Sequence, residues 1–193
     1  LVRLKPRLEE LDFEVISVIL ALYRPDSMGA LDEFVEMATT GKRPPSIHKD
    51  MDKILSDTNY CMIYQEQLLD IVRTFGGRTY GGADLFRKAI GKKIPELVQK
   101  ESEILRGEIV ENGYPKDIAN KIADELSQKG GYLFNKSHSY SYAVLCLQTA
   151  YLKCHYPTEY LSALMTSMMD SSSKISQYTA ECKRYGIRVL PPS

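Results

Sequence analysis

The sequence predicts a mainly α fold, and three observations support that prediction. Apolar residues recur at helical spacing through most of the 193 residues, and prolines and glycines divide them into segments of helix length. Only residues 59–64 have the pattern of a strand. With 44% hydrophobic residues, the chain is long enough to bury the core of one domain or slightly more, which excludes a disordered, collagenous or coiled-coil chain.

Nine helices are predicted with both ends, bounded by proline, glycine or a serine cluster, and a further helix start is predicted near Asp50. The nine helices cover residues 13–23, 31–37, 65–75, 83–90, 95–111, 116–128, 137–154, 157–169 and 174–184. Arg24-Pro25 closes the first helix, the Pro- and Gly-containing segment 39–45 forms a loop, and Gly76-Gly77 ends the third helix. A further glycine pair, Gly81-Gly82, precedes the helix at 83–90, whose C-terminal half is basic.

In the second half of the chain, Pro95 opens a long amphipathic helix, and Asn112-Gly113-Tyr114-Pro115 turns it into the next one. Lys129-Gly130-Gly131 is predicted to be a flexible break. The helix from 137 to 154 is apolar on nearly every side, so we expect a central helix packed by neighbours all round. Ser171-Ser172-Ser173 can cap the last helix.

The 25 basic and 25 acidic residues cancel overall but are distributed in blocks. Residues 73–100 carry seven basic and two acidic side chains, and residues 127–158 carry three basic side chains and no acid. Between them, residues 101–126 are acidic. If folding brings the two basic stretches together, they form a positive surface that attracts phosphates. A solvated charge pattern without a ligand is the alternative.

Several kinds of chemistry have no support in the sequence. His48, His138 and His155 stand in no nucleophile motif, and Gly82 occupies the position where a Walker loop requires lysine. The Asp50-x-Asp52 doublet lies where a helix starts, so capping explains it better than a metal site. The four cysteines form no close pair and are expected to be buried, reduced thiols. No run of about 18 apolar residues could span a membrane, and a cytoplasmic location is expected.

Two segments have the composition of a phosphate-binding surface. In residues 81–93, two glycines are followed by four cations, and free amides at the helix start could bind an anion. In residues 131–142, polar donors and tyrosines crowd the start of an otherwise apolar helix, which suits stacking on bases and binding of phosphates. Simple capping and an Asp84–Lys88 ion pair would also explain parts of these patterns.

Residues 134–138 (Phe-Asn-Lys-Ser-His), followed by 148–153 and His155-Tyr156-Pro157, resemble the fingers region of the alpha subunit of bacterial replicative DNA polymerase III, a C-family polymerase. Residues 64–67 (Tyr-Gln-Glu-Gln), 81–85 and 180–192 agree with it in the same order along the chain. The segment Ser139-Tyr140-Ser141 is bulkier than the small residues of the family pattern. The chain starts with Leu1 and is expected to be a piece of something longer.

The resemblance implies an irregular multi-helix fingers domain with at most a short strand or two. Residues 1–60 would be its N-terminal helical part, 61–170 its nucleotide-binding core, and 171–193 a C-terminal helix and linker to the next domain. It also implies that the fingers bind the dNTP triphosphate and the templating base during chain elongation. The alternative is a helical DNA-binding or protein-docking module with no nucleotide role.

The same resemblance implies the site and its partners. The residues facing the triphosphate would be Arg87, Lys88, Lys93, Asn135, Lys136, Ser137 and His138. No catalytic or metal-binding residue is expected in this chain, because the aspartates that hold Mg²⁺ belong to the palm. The chain alone is therefore expected to be inactive as a nucleotidyltransferase. Its implied partners are dNTP, primer-template DNA and the palm and thumb domains, while the sliding clamp and other replisome subunits would bind outside it.

Overall fold

The computed structural model describes residues 11–190, and this part of the chain is built from ten α-helices. They are α1 (Phe13–Leu22), α2 (Met28–Thr40), α3 (Lys49–Leu55), α4 (Gln65–Gly76), α5 (Tyr80–Gly91), α6 (Pro95–Glu111), α7 (Lys116–Lys129), α8 (Lys136–His155), α9 (Pro157–Ser167) and α10 (Ser172–Arg184). The mainly α prediction is confirmed. Most predicted boundaries agree within a few residues, because proline and glycine fix them locally.

The strand predicted over residues 59–64 is wrong except at its last residue. Asn59 and Tyr60 both have positive φ angles, 50° and 64°, so they turn the chain instead of extending it. Tyr64 alone forms a β-bridge, a parallel one with Phe134. That single bridge connects the segment before α4 to the segment before α8.

Contacts divide the chain into two compact units, residues 1–142 and 143–193, and α8 runs through the division. The functional division with boundaries at 60 and 170 stays a prediction. No helix in the described ranges combines the length and hydropathy that crossing a bilayer requires.

Helices α3 to α7 enclose the larger core of the first unit. Each contributes one apolar stripe, and α4 lies at the centre with Leu68, Ile71 and Phe75 fully buried. Complete burial of such a side chain stabilises the fold by roughly 1.5–3 kcal/mol. On α5, Phe86 and Ile90 face this core, which leaves the basic residues of the same helix on its outer side.

A second core joins α1 and α2 to residues 61–64. Val18, Leu22 and Phe34 pack there against Cys61 and Tyr64. Gln67 of α4 fixes the loop before it: its Oε1 accepts the N–H groups of residues 63 and 64, each at 2.9 Å, and its Nε2 donates to Thr58 Oγ1 at 2.7 Å.

The break predicted at residues 129–131 is instead a packed 3₁₀ turn over Gly130–Tyr132. Gly130 is buried, and a Cβ at this position would lie 2.9 Å from side-chain carbons of both Leu68 and Ile90. Glycine is therefore required for close packing rather than for flexibility.

In the second unit, the rest of α8 is accompanied by α9 and α10. Lys153 donates to Glu181 at 2.7 Å, and this ion pair lowers the pKa of the Glu181 carboxyl. The expectation that α8 is packed all round is wrong: Leu145, Tyr151 and Leu152 are exposed in the described structure. Burial on every side needs neighbours on every side, and residues 143–190 supply only two further helices.

The cysteine prediction is confirmed only in part. Cys61 and Cys182 are buried, Cys146 is half-buried and Cys154 is exposed. All four are free thiols.

Candidate phosphate-binding site

Residues 132–136, here called the α8 lead-in, connect the 3₁₀ turn to α8, and the first unit holds them at every step. The N–H of Phe134 donates to the Ile63 carbonyl at 2.9 Å, and the Phe134 carbonyl accepts the Gln65 N–H at 2.8 Å. The Gln65 side chain donates to the Leu133 carbonyl at 3.4 Å. The lead-in therefore follows residues 63–65 like one rung of a parallel sheet.

Asn135 and Glu66 together form the start of α8. Asn135 Oδ1 accepts the His138 N–H at 2.8 Å and the Ser137 hydroxyl at 2.7 Å, which is an N-cap arrangement. The Glu66 carboxylate accepts Asn135 Nδ2 at 3.1 Å and the Lys136 N–H at 2.9 Å. The negative charge of Glu66 at the N-terminus of α8 also interacts favourably with the helix dipole. Asn135 and Ser137 thus have structural roles before any ligand is considered.

The half-buried Lys136 lies against aromatic rings. Its Nζ is 5.1 Å from the Tyr140 ring centroid and 5.6 Å from that of Tyr64. No carboxylate pairs with Lys136 among the side chains that the structure describes. Among the described residues its charge is therefore compensated by ring quadrupoles and not by an ion pair.

Those two rings are themselves anchored to α1. Buried Tyr64 bonds through its hydroxyl to Ser17 Oγ at 2.9 Å, and Ser17 Oγ lies 3.0 Å from Ser139 Oγ. Burial raises the pKa of Tyr64, so its phenol stays neutral. Tyr140 donates to Glu14 and packs edge-on against the Phe13 ring, both on α1. These contacts explain why α8 accommodates a bulky residue at 140.

His138 is exposed and belongs to a row of rings along one face of α8. Its ring centroid lies 5.5 Å from Phe134 and 4.8 Å from Tyr142, the residues four positions before and after it. Such i, i+4 spacing stacks side chains on one helix face. Residues 136 and 138 are two positions apart on α8, so this row and the Lys136 side chain lie on different faces of the helix.

Arg87 and Lys88 differ from Lys136 because they share a carboxylate. Asp84 accepts Arg87 Nε and Lys88 Nζ, each at 2.8 Å. The Lys88 bond, followed by the Arg87 bond, holds the pKa of Asp84 below its ordinary value. Lys88 is 59% exposed and contacts nothing on the lead-in in the described structure.

One of the amides predicted to be free at this helix start has a partner within the protein. α5 begins at Tyr80, so the glycine pair lies in its first turn, and Thr79 Oγ1 accepts the Gly82 N–H at 3.2 Å. Arg78 holds this helix start against α6 through Glu108 at 2.6 Å.

The first turn of α4 brings the two basic segments together. Arg87 Nη1 donates to Gln65 Oε1 at 3.4 Å, and the next residue, Glu66, binds Asn135 and Lys136. Ser137 and His138 follow in the first turn of α8.

Lys93 lies two residues beyond the end of α5, with its Nζ 3.8 Å from the Tyr132 ring centroid. Its backbone is left-handed, with a φ of 55°, a conformation that costs a non-glycine residue about 1 kcal/mol or more.

Sequence reasoning missed two residues that hold the lead-in. Glu66 stands within the quoted Tyr-Gln-Glu-Gln motif, yet nothing in the motif shows that its partner lies about 70 positions away. The sequence pattern indicates only a helix stop at Arg24, whereas the Nη2 of this residue donates to the Tyr132 carbonyl at 2.7 Å. An arginine immediately before a proline at a helix end is too common to signal such a contact.

The Asp50-x-Asp52 doublet is occupied by contacts within the protein. No group of three or more potential metal ligands occurs among the described residues. Asp50 pairs with Lys53 at 2.9 Å, and Asp52 accepts the Ser46 hydroxyl at 2.6 Å, so both serve the start of α3.

The fold and the cluster define the class: a helical domain with cations and aromatic rings gathered around one helix N-terminus. Residues 1–113 match the family model described as the bacterial DNA polymerase III alpha subunit finger domain. The chain belongs to this family, as its resemblance predicted.

Full-length relatives agree over nearly the whole chain. The DNA polymerase III subunit alpha of Campylobacter jejuni is 40% identical over 98% of the chain, that of Vibrio cholerae is 39% identical over 96%, and that of Escherichia coli K12 is 37% identical over 96%. The chain spans only 16–17% of the length of these relatives.

Proposed function

We propose that this chain forms the nucleotide-binding fingers of a bacterial replicative DNA polymerase, where it binds the triphosphate of the incoming dNTP and the templating base. The observation that supports this most directly is the meeting of the two basic segments at Gln65 and Glu66. Residues 87 and 136 are far apart in sequence, and a triphosphate needs several donors at one place.

In this proposal, Lys136 is the principal phosphate ligand. It lacks a carboxylate partner among the described residues, so phosphate binding breaks no ion pair. Its charge would offset the negative charge that develops on the β- and γ-phosphates as pyrophosphate leaves. Arg87, Lys88 and Lys93 would supply further positive charge, and Asn135 and Ser137 would hold the helix start in place.

The ring row of His138 and Tyr142 would lie beside the bases. Stacking on an aromatic side chain is worth roughly 1–3 kcal/mol per base and tolerates any sequence. Such tolerance is what a polymerase needs when the template changes at every step.

The remaining parts of the reaction fall to the rest of the polymerase. Mg²⁺ would be held by palm aspartates, and the ions would activate the primer terminus and neutralise the triphosphate. Primer-template DNA, the palm and thumb, and the sliding clamp with other replisome subunits are the proposed partners of the whole protein. The chain by itself should show no primer extension with magnesium; extension by the purified chain would contradict this division.

The test is Lys136→Ala in the full-length polymerase. We expect the KM for dNTP to rise while the Kd for primer-template DNA is unchanged. Lys121→Ala, on the exposed side of α7, is the matched control and should change neither value. A loss of DNA binding without a change in nucleotide affinity would instead favour a DNA-binding or docking module.

A further inference from the structure

Arg24 connects the end of α1 to the α8 lead-in through one guanidinium group. Its Nε donates to the Ala21 carbonyl at 3.0 Å and so satisfies an orphan acceptor at the helix end. Its Nη2 donates to Ser27 Oγ at 3.1 Å and to the Tyr132 carbonyl at 2.7 Å. The guanidinium carbon also lies 4.9 Å from the centroid of the Phe134 ring.

These contacts complete the support of the lead-in. Tyr132 is held by Arg24, Leu133 by the Gln65 side chain, Phe134 by backbone bonds to residues 63 and 65, and the last two residues by Glu66. Apart from the bond from Arg24, the hydrogen bonds in this set are made with residues 63–66, in and just before the first turn of α4. Without Arg24, the first residues of the lead-in would have no hydrogen bond to the α1–α2 part of the described structure.

The geometry requires a guanidinium group rather than a positive charge alone. Three acceptors and one ring are contacted from different sides of a rigid, planar fork. A lysine ammonium is a compact point donor that cannot reach the Ala21 and Tyr132 carbonyls together while stacking on Phe134. The extended backbone at Arg24, which the following proline favours, directs the side chain toward the lead-in.

We propose that Arg24 is a positioning residue for the nucleotide site: by holding Tyr132 and Phe134, it sets where Asn135 and Lys136 stand when the triphosphate binds. The inference rests on the proposed function of Lys136. Arg24 itself needs no contact with the nucleotide, because its Nε and Nη2 are already engaged with the protein.

The experiment compares Arg24→Lys and Arg24→Gln in the full-length polymerase. Both variants should raise the KM for dNTP about tenfold, with a smaller change in kcat and an unchanged Kd for primer-template DNA, because a misplaced Lys136 loses part of its contact. Arg43→Lys is the matched control. Arg43 also stacks on a ring, that of Tyr60 at 4.3 Å, but has no contact with the lead-in, and its replacement should leave the KM unchanged.

A double variant separates positioning from direct binding. If Arg24 acts through Lys136, then Arg24→Lys combined with Lys136→Ala should be no worse in KM than Lys136→Ala alone. Additive effects would overturn the proposal and make Arg24 an independent ligand. An Arg24→Lys variant with normal KM would likewise overturn it, since charge alone would then suffice.

Two further outcomes distinguish this inference from the proposed function. If Lys136→Ala raises the KM but neither Arg24 variant does, the inference fails and the proposed function stands. If Lys136→Ala leaves the KM unchanged, the proposed function fails first. Thermal unfolding of each variant completes the comparison: if both Arg24 variants lose the fold, Arg24 maintains the domain rather than the site, and the proposal is overturned.

Discussion

The two basic segments of the first unit look equivalent in sequence but differ in how their charges are compensated. On α5, Arg87 and Lys88 both bind the carboxylate of Asp84. At the α8 lead-in, Lys136 lies over the Tyr64 and Tyr140 rings, and no described acid pairs with it. The comparison teaches that a count of cations does not measure how many are available to a phosphate.

The difference follows from the distribution of acids. Asp84 stands three and four positions before the α5 cations, which is the spacing at which helical side chains meet. Residues 127–158 contain no acid, so only a distant carboxylate could neutralise Lys136. Glu66 binds the Lys136 backbone N–H, while the ammonium group of Lys136 lies over the Tyr64 and Tyr140 rings.

The largest expected effect is the contrast between Lys136→Ala and Lys88→Ala. Loss of an uncompensated, half-buried cation should raise the KM for dNTP by about tenfold or more, since charged hydrogen bonds contribute roughly 1.5–3 kcal/mol. Loss of exposed Lys88, already paired, should change it less than about threefold. Steady-state kinetics of the full-length enzyme measure both, and equal effects would end the distinction between the segments.

The second effect concerns the packed turn on which the lead-in rests. Gly130→Ala should destabilise the protein by roughly 1–3 kcal/mol, because the added Cβ meets Leu68 and Ile90 at 2.9 Å. Gly107→Ala is the control and should stabilise the protein instead. Nothing lies within 4 Å of a Cβ there, and alanine in a helix is favoured by about 0.5–1 kcal/mol. Thermal unfolding measures both; a neutral Gly130→Ala would show that the turn yields easily.

A third effect isolates the support of the α8 N-terminus. Glu66→Ala removes the acceptor for Asn135 and for the Lys136 N–H, which should cost about 1 kcal/mol and raise the KM for dNTP several-fold. Glu66→Gln keeps one oxygen acceptor and should lose less. Glu96→Ala, at the first turn of α6, should leave the KM unchanged. If Glu96→Ala raised the KM as much as Glu66→Ala, the effect would come from the change in net charge and not from the lost contacts at the start of α8.

The smallest effect is expected from removing the carboxylate that pairs with the α5 cations, which would leave them without an ion pair, as Lys136 is among the described residues. Asp84→Asn should release Arg87 and Lys88, lower the KM for dNTP about two- to threefold and steepen the salt dependence of DNA binding. Because the pKa of Asp84 is lowered, its ion pairs persist above the ordinary carboxyl pKa and are lost only as the pH falls through the lower value. The wild-type KM should therefore show no Asp84 titration between pH 6 and 9.

Much of the fold could be predicted from the sequence because its signals are local. Pro95, Pro115 and Pro157 mark helix starts within a residue, and the face of α4 follows from apolar spacing. The strand at 59–64 could not be excluded, since left-handed backbone at Asn59 and Tyr60 depends on tertiary contacts. The exposure of α8 beyond residue 143 was likewise inaccessible, because apolar composition does not specify which neighbours are present.

The sequence predicts which segments contribute to the candidate site but not how those segments contact one another in the fold. The cations and donors of the site follow from composition and from resemblance to the family. The joining of Arg87 to Lys136 depends on Gln65 and Glu66, whose partners lie 22 to 70 positions away. The role of Arg24 depends on a contact over 108 positions. No local pattern encodes such separations.

Cys61 in the second core is a chemical probe of how often the α1–α2 part of the molecule opens. Burial raises the pKa of this thiol to about 12, so at pH 8 it is protonated and shielded from alkylating reagents. Reaction requires α2 to separate from residues 61–64 and rehydrate the sulfur, after which the thiol ionises readily. The rate of Cys61 alkylation therefore reports how often α2 separates from residues 61–64. A nucleotide that stabilises the closed arrangement of this domain should slow the reaction.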